Sequence, residues 1–235
     1  MQYDFSPFFS EYEKLRSEAD RLFQQVQEQY PQEVTCSEGC TSCCYALFDL
    51  TLVEAMYINR SFQDKLDEAK RKEILEKADQ ADRRIHRIKY HISKEQKKGK
   101  DTQEILRLAG EYEVPCPLLN SSDHCELYED RPINCRIYGI PMVIGDQAHT
   151  CSRSGFLAGE KYPTVYMDRI QDRLMDISQR MVQSIPTQYI KLADVMVPLS
   201  MALMNEYNED YLGIVKPVQS NSGGPPEWVL GKGED

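Results

Sequence analysis

Cysteine placement is the tightest constraint on this chain. Cys36, Cys40, Cys43 and Cys44 lie within nine residues. Cys116, Cys125, Cys135 and Cys151 follow, spread over 36 residues, after a stretch of 71 without a cysteine. Eight cysteines in 235 residues is well below the density of a disulfide scaffold. In a reducing compartment, thiols clustered like this read as metal ligands or redox groups rather than structural disulfides.

The expected compartment is the cytoplasm. The longest apolar run, Val195 to Met204, is broken by Pro198, whereas a spanning helix needs about 20 residues. Asp4 stands where a secretory signal would carry positive charge. Lys plus Arg total 28 against 38 Asp plus Glu, a net charge of −10. Nucleic acids and anionic membranes recruit basic faces, so neither is an expected partner.

The periodicity predicts a mainly α protein: a helical domain with a cysteine-rich irregular centre and one or two small β-hairpins around a metal site. Phe8, Tyr12, Leu15, Ala19, Leu22, Val26 and Tyr30 make one helical face over 6–30. Ser6 is the expected N-cap, Pro7 the first helical residue and Pro31 the stop. A short helix is expected over 51–60. Residues 62–98 are helical in composition, as one rod or a hairpin, with Lys94 to Lys100 as a solvated loop. A helix at 102–110 follows.

From Val114, prolines and Asn-Ser-Ser-Asp punctuation predict loops and hairpins. Asp130-Arg131-Pro132 reads as the start of a short helix ending at Gly139, with Asp130 as its cap. A hairpin is expected over 140–150 and an amphipathic helix over 164–184. A last apolar helix, interrupted at Pro198, is expected over 188–207. The expected organisation is an N-terminal amphipathic helix (1–31), a cysteine-cluster metal-binding domain with C-terminal helices (32–215) and a flexible tail (216–235).

Thiolates hold Zn²⁺ tetrahedrally at about 2.3 Å, and four of them hold an iron–sulfur cluster. A Cys40-x2-Cys43 loop lets two sulfurs converge, whereas the adjacent Cys43 and Cys44 project apart in either an extended or a helical chain. The simpler reading sends those two to neighbouring centres. Eight thiols divide into two four-sulfur sites that draw on both blocks, stapling residues far apart in sequence. Arg131, Arg136 and Arg153 flank Cys135 and Cys151 and suit an anionic centre. For these arginines, ordinary surface pairing is the competing reading. His124 and His149 adjoin cysteines and could stand in for a thiolate. No P-loop, GxGxxG, HExxH or GxSxG is present, and no catalytic residue is singled out.

The blocks Cys36-x3-Cys40-x2-Cys43-Cys44, Cys116-Pro117-Leu118, Cys125-x2-Tyr128, Arg131-Pro132-x2-Cys135-Arg136-x-Tyr138-Gly139 and Cys151 resemble the YkgJ-like cysteine-cluster family. It is also called the CxxCxxCC family and is described as zinc- or iron-chelating. The match covers about residues 33–155. Three residues separate Cys36 from Cys40 where the family's name gives two. The resemblance implies metal binding without fixing a reaction. Flagellin lysine N-methylases carry a related cysteine-rich domain associated with iron–sulfur clusters. If the chain is an enzyme, the resemblance therefore implies iron–sulfur-dependent protein modification, although no glycine-rich S-adenosylmethionine loop of the usual kind is present.

Three readings stand at this point. The first is an iron–sulfur protein with one or two clusters of the [4Fe–4S] type, held by Cys36, Cys40, Cys43, Cys44, Cys116, Cys125, Cys135 and Cys151, with Arg131 and Arg136 as neighbours. The second is a structural zinc adaptor, for which only Cys40-x2-Cys43 shows the usual pairing. The third is thiols without metal. Expected partners are metal ions and either a protein substrate or a redox partner.

Overall fold

The computed structural model describes residues 3–215, except for the side chains of Thr102 and Leu106. The tail expected over 216–235 lies outside the described residues.

Helix α1 spans Ser6–Gln29 and stops two residues before Pro31. Its N-cap is Phe5, which makes no side-chain cap. Asp4 serves instead, with one carboxylate oxygen accepting the Ser6 N–H at 2.9 Å. The buried stripe is Phe9, Tyr12, Leu15, Ala19 and Val26, while Leu22 is exposed. The face is therefore rotated slightly from the one predicted. Phe9 earns its place by packing edge-on against Tyr57, as Tyr12 also does.

Helix α2, Leu52–Lys65, is longer than expected and opens with a capping box in which Thr51 and Glu54 satisfy each other's backbone donors. Leu66, in extended backbone, ends that helix, and Asp67 caps the next, accepting the Lys70 N–H at 2.8 Å. Helix α3, Glu68–Lys97, is one continuous rod of 30 residues, which is about 45 Å at 1.5 Å per residue. Lys94 to Lys97 thus belong to the helix, correcting the loop expected there. Glu95 explains the order: Lys98 and Lys100 pair with its carboxylate and hold its pKa down at about 2. Helix α4, Thr102–Gly110, has its own capping box between Asp101 and Glu104 and folds back on α3.

Helix α5 is the short Ile133–Ile137, and α6 is Met167–Gln183. Strands β2 (Met142–Ile144) and β3 (Gln147–His149) form the expected hairpin about Gly145, whose φ of +58° suits glycine. Strand β4, Val165–Tyr166, adds to β2 in parallel, a pairing that local sequence does not announce. No long helix covers 188–207. Val197–Pro198 is strand β5, paired antiparallel with β1 (Asp49–Leu50), and α7 is only Leu199–Met204. The physical reason is Pro198 itself: the residue before a proline is pushed to extended backbone, so Val197 pairs in a sheet rather than continuing a helix.

The result is mainly helical, with two small sheets. One hydrophobic cluster joins α1, α2, α5, α6 and α7. A smaller one gathers Ala81, Ile88 and Val114 with Leu47, Ile85, Ile92 and Tyr112. Among the described residues, no helix is long and apolar enough to cross a membrane.

A buried carboxylate links the capping of α2 to α5. Glu54 accepts hydrogen bonds from the N–H and hydroxyl of Thr51 and from the backbone of Ile133. Burial outweighs these bonds and pushes its pKa up to about 7. A carboxyl whose pKa is raised on folding binds its proton more tightly in the folded state. Its stabilising contribution is full below the unfolded value and is lost as pH rises through about 7. Glu54→Gln should therefore gain stability relative to the parent between about pH 5 and pH 8, by a total on the order of 3 kcal/mol. Urea unfolding at several pH values reads the difference, and a pH-independent gap would contradict it.

Candidate metal centre

The first cysteine block is sewn down at both ends. After α1, residues 33–35 run beside 153–155: the Gly155 N–H donates to Glu33 O at 2.8 Å and Thr35 Oγ1 to Arg153 O at 2.7 Å. Ser42–Tyr45 form a single 3₁₀ turn, with about three residues per turn, so Cys43 and Cys44 leave the backbone about 120° apart. There the second block arrives. The Cys116 N–H donates to Cys44 O at 2.7 Å, and the Val114 N–H to Tyr45 O at 3.4 Å.

The second block is folded by short local devices. Leu119 and Cys125 face each other across an antiparallel bridge, and the Glu126 N–H bonds to Leu118 O at 2.9 Å. Asn120 Oδ1 accepts the N–H groups of Ser122 and His124, and Asp123 takes a φ of +59° to close the turn. Cys135 lies in the first turn of α5, its N–H on Pro132 O at 3.0 Å. Asp130 does not cap that helix. It is buried, and its carboxylate takes Lys65 Nζ at 2.6 Å with Arg16 at 3.7 Å. Pro132 occupies the cap position instead.

Every cysteine except Cys151 lines one partly open cavity of about 130 Å³, roughly ten times the space a single water needs. Cys151 is not in the lining but is close enough to act electrostatically on Cys36. Phe23, Leu47, Phe48, Ile85 and Leu199 complete the walls. Ile85 belongs to the apolar positions of the expected 62–98 helix and Leu199 to the expected last apolar helix, whereas nothing in the sequence marked Phe23, Leu47 or Phe48. Phe23 lies off the predicted face of α1, and Leu199 opens a helix that was expected to be already under way. Among the described residues, no three His, Cys, Asp or Glu side chains converge closely enough to hold one metal ion. The sulfurs are gathered around a space rather than onto a point, each on a single rotatable χ1.

Their mutual influence falls into two sets that meet at Cys43. Cys116 and Cys125 act directly on Cys44 and Cys135, and Cys43 acts on Cys44, Cys116 and Cys135. Cys36 feels Cys40, Cys43 and Cys151. Burial, followed by these sulfurs, pushes Cys36 up to about 11, and burial with Cys125 takes Cys116 to about 12. Cys43 moves the other way: contacts from Cys135 and Cys44 and the charge of Arg131 hold its thiol well below the ordinary range. Burial also raises Cys40, but Ser42 and Arg153 outweigh it and leave that thiol low.

The flanking arginines divide by role. Arg131 lies 3.8 Å over the Tyr128 ring, donates to Tyr128 O at 3.0 Å and acts on Cys43 and Cys125. Arg136 also lines the cavity, yet its guanidinium is committed elsewhere. It grips both oxygens of Asp20 at 2.8 and 2.6 Å and donates to the carbonyls of Arg131 and Glu129. Its visible work is to pin the cysteine-bearing turn to α1. His124 lines the cavity with Nδ1 2.6 Å from Ser122 O. His149 Nε2 is buried without a partner and away from the lining.

No protein-family model, no curated protein and no solved structure matches this chain.

Gly139 closes the motif for a steric reason. A Cβ there would stand 2.5 Å from Cys36 Cβ, 3.2 Å from its Sγ and 3.3 Å from Phe23. Gly139→Ala should displace Cys36 and cost about 1–3 kcal/mol of stability. Gly110→Ala, where nothing lies within 4 Å, should be near neutral. Denaturant unfolding of both variants checks this, and equal stabilities would contradict it.

Proposed function

We propose that this chain is a cytoplasmic metal protein that holds an iron–sulfur centre with thiols from both cysteine blocks and serves a redox or protein-modifying role. The observation that carries the reading is the cavity: seven thiols from segments 71 residues apart face one space. Thiolates are soft donors that select zinc, copper(I) and iron–sulfur clusters, so the donor set fits in kind. It is also sufficient in number, since a tetrahedral ion and an iron–sulfur cluster each take four thiolates and seven line the cavity. When bound, a cluster supplies one-electron transfer.

The chain's own residues would do the rest. The thiols bind as thiolates, Arg131 and Arg153 offset the negative charge, and the apolar lining residues Phe48, Leu47 and Leu199 limit water in the cavity. The two sets meeting at Cys43 favour two centres, one drawing on Cys36, Cys40 and Cys151 and the other on Cys44, Cys116, Cys125 and Cys135. The similarity to the YkgJ-like motif points the same way, and a net charge of −10 weighs against a nucleic-acid partner.

Cys43→Ser and Cys135→Ser test the shared site. Each should lower metal content and the thermal unfolding midpoint together, because binding free energy at such a site is folding free energy. Full metal loading in both variants would contradict a centre built across the blocks.

A further inference from the structure

We propose that the groove between α3 and the 114–121 segment is a docking face for an acidic protein segment. Lys77, Arg84 and Arg87 line it from α3. Their spacing of seven and three residues puts them on one side of the helix. Pro115 and Pro117 form part of the opposite wall, and Asp123 is the one carboxylate in the lining.

The charge there runs against the molecule as a whole. The chain carries ten more acidic than basic residues, and several of its other arginines pair with carboxylates: Arg83 with Asp79, Arg173 with Glu18 and Arg180 with Glu11. In the groove, Lys77 pairs with Glu73 at 2.7 Å. Arg84 and Arg87 have no carboxylate partner among the described residues, and Arg87 Nε bonds only to Arg83 O at 3.2 Å. Two arginines left unpaired side by side in an acidic protein form a local attractive field within a repulsive one. That combination selects a compact acidic patch over a long polyanion. Nucleic-acid binding relies on many phosphate contacts, typically about 6–10, and three cations cannot supply them against a net charge of −10. The apolar proline wall adds contact surface of the kind an extended peptide needs.

The position gives the groove a use. The 114–117 segment is shared with the thiol cavity, so Cys116 stands in the partition between the two. A partner in the groove would press on the backbone that donates from Cys116 to Cys44. The proposal rests on charge and shape and holds whether or not the cavity binds metal.

The test is fluorescence anisotropy of a fluorescein-labelled octaglutamate peptide with the full chain at low ionic strength. Arg84→Glu/Arg87→Glu should weaken binding about tenfold or more, in line with reversing rim charges at a complementary interface. Lys72→Glu/Lys161→Glu, with the same change in net charge on exposed residues outside the groove, should leave it within about twofold. Circular dichroism confirms that both variants fold. Three results would each overturn the proposal: no binding of the peptide, equal weakening by both variants, or tighter binding of an eight-residue oligothymidylate than of the peptide.

Discussion

Everything distinctive about this fold depends on closing a loop of 71 residues so that the two cysteine blocks touch. The closure is made by main chain: the Cys116 N–H on Cys44 O, with Val114 on Tyr45 beside it. Two backbone hydrogen bonds, each worth about 1 kcal/mol net, do not hold such a loop alone. Helices α3 and α4 do the spanning, and the small cluster of Ala81, Ile88, Val114 and Leu47 places the returning segment beside the first block. The intervening helices therefore act as a frame whose effect is to deliver thiols.

A second frame fixes the other side of the cavity. Arg136 joins α1 to the turn before α5 through Asp20, while Asp130 collects Arg16 and Lys65 from α1 and α2. Removing one partner from a buried network of this kind is costly, because the remaining charge is left uncompensated. Glu54 adds a carboxylate that bridges the starts of α2 and α5. Cys135 rides on α5, so its position follows from these polar contacts as much as from apolar packing. That leaves Arg131 and Arg153 as the cations that act on the sulfurs.

How much of this could be read from sequence varies with how local the determinant is. The long helices were legible in outline because their apolar period is local, with Pro31 as a stop after α1, and the Gly145 turn of the hairpin was legible for the same reason. The breaks at Leu66 and Pro198 were less so. Asp67 had to be read as a cap, and Val197 as a strand whose partner, Leu50, lies in a different part of the chain. The cysteines were visible as a set, but their grouping around Cys43 was not, since it arises from a 3₁₀ turn and a cross-chain hydrogen bond. Arg136 was visible as a cation near Cys135, whereas its commitment to Asp20 depends on how α1 packs. The groove on α3 was hidden by the long run of mixed charge in which it sits.

The most direct test of the central claim is elemental. The full chain, purified without oxygen, should carry iron and acid-labile sulfide in equal amounts, with a broad thiolate-to-iron absorption band near roughly 400 nm. Zinc alone, colourless and stable in air, would contradict the iron–sulfur reading and make the cavity a structural thiolate site. No metal at all would contradict the metal centre altogether.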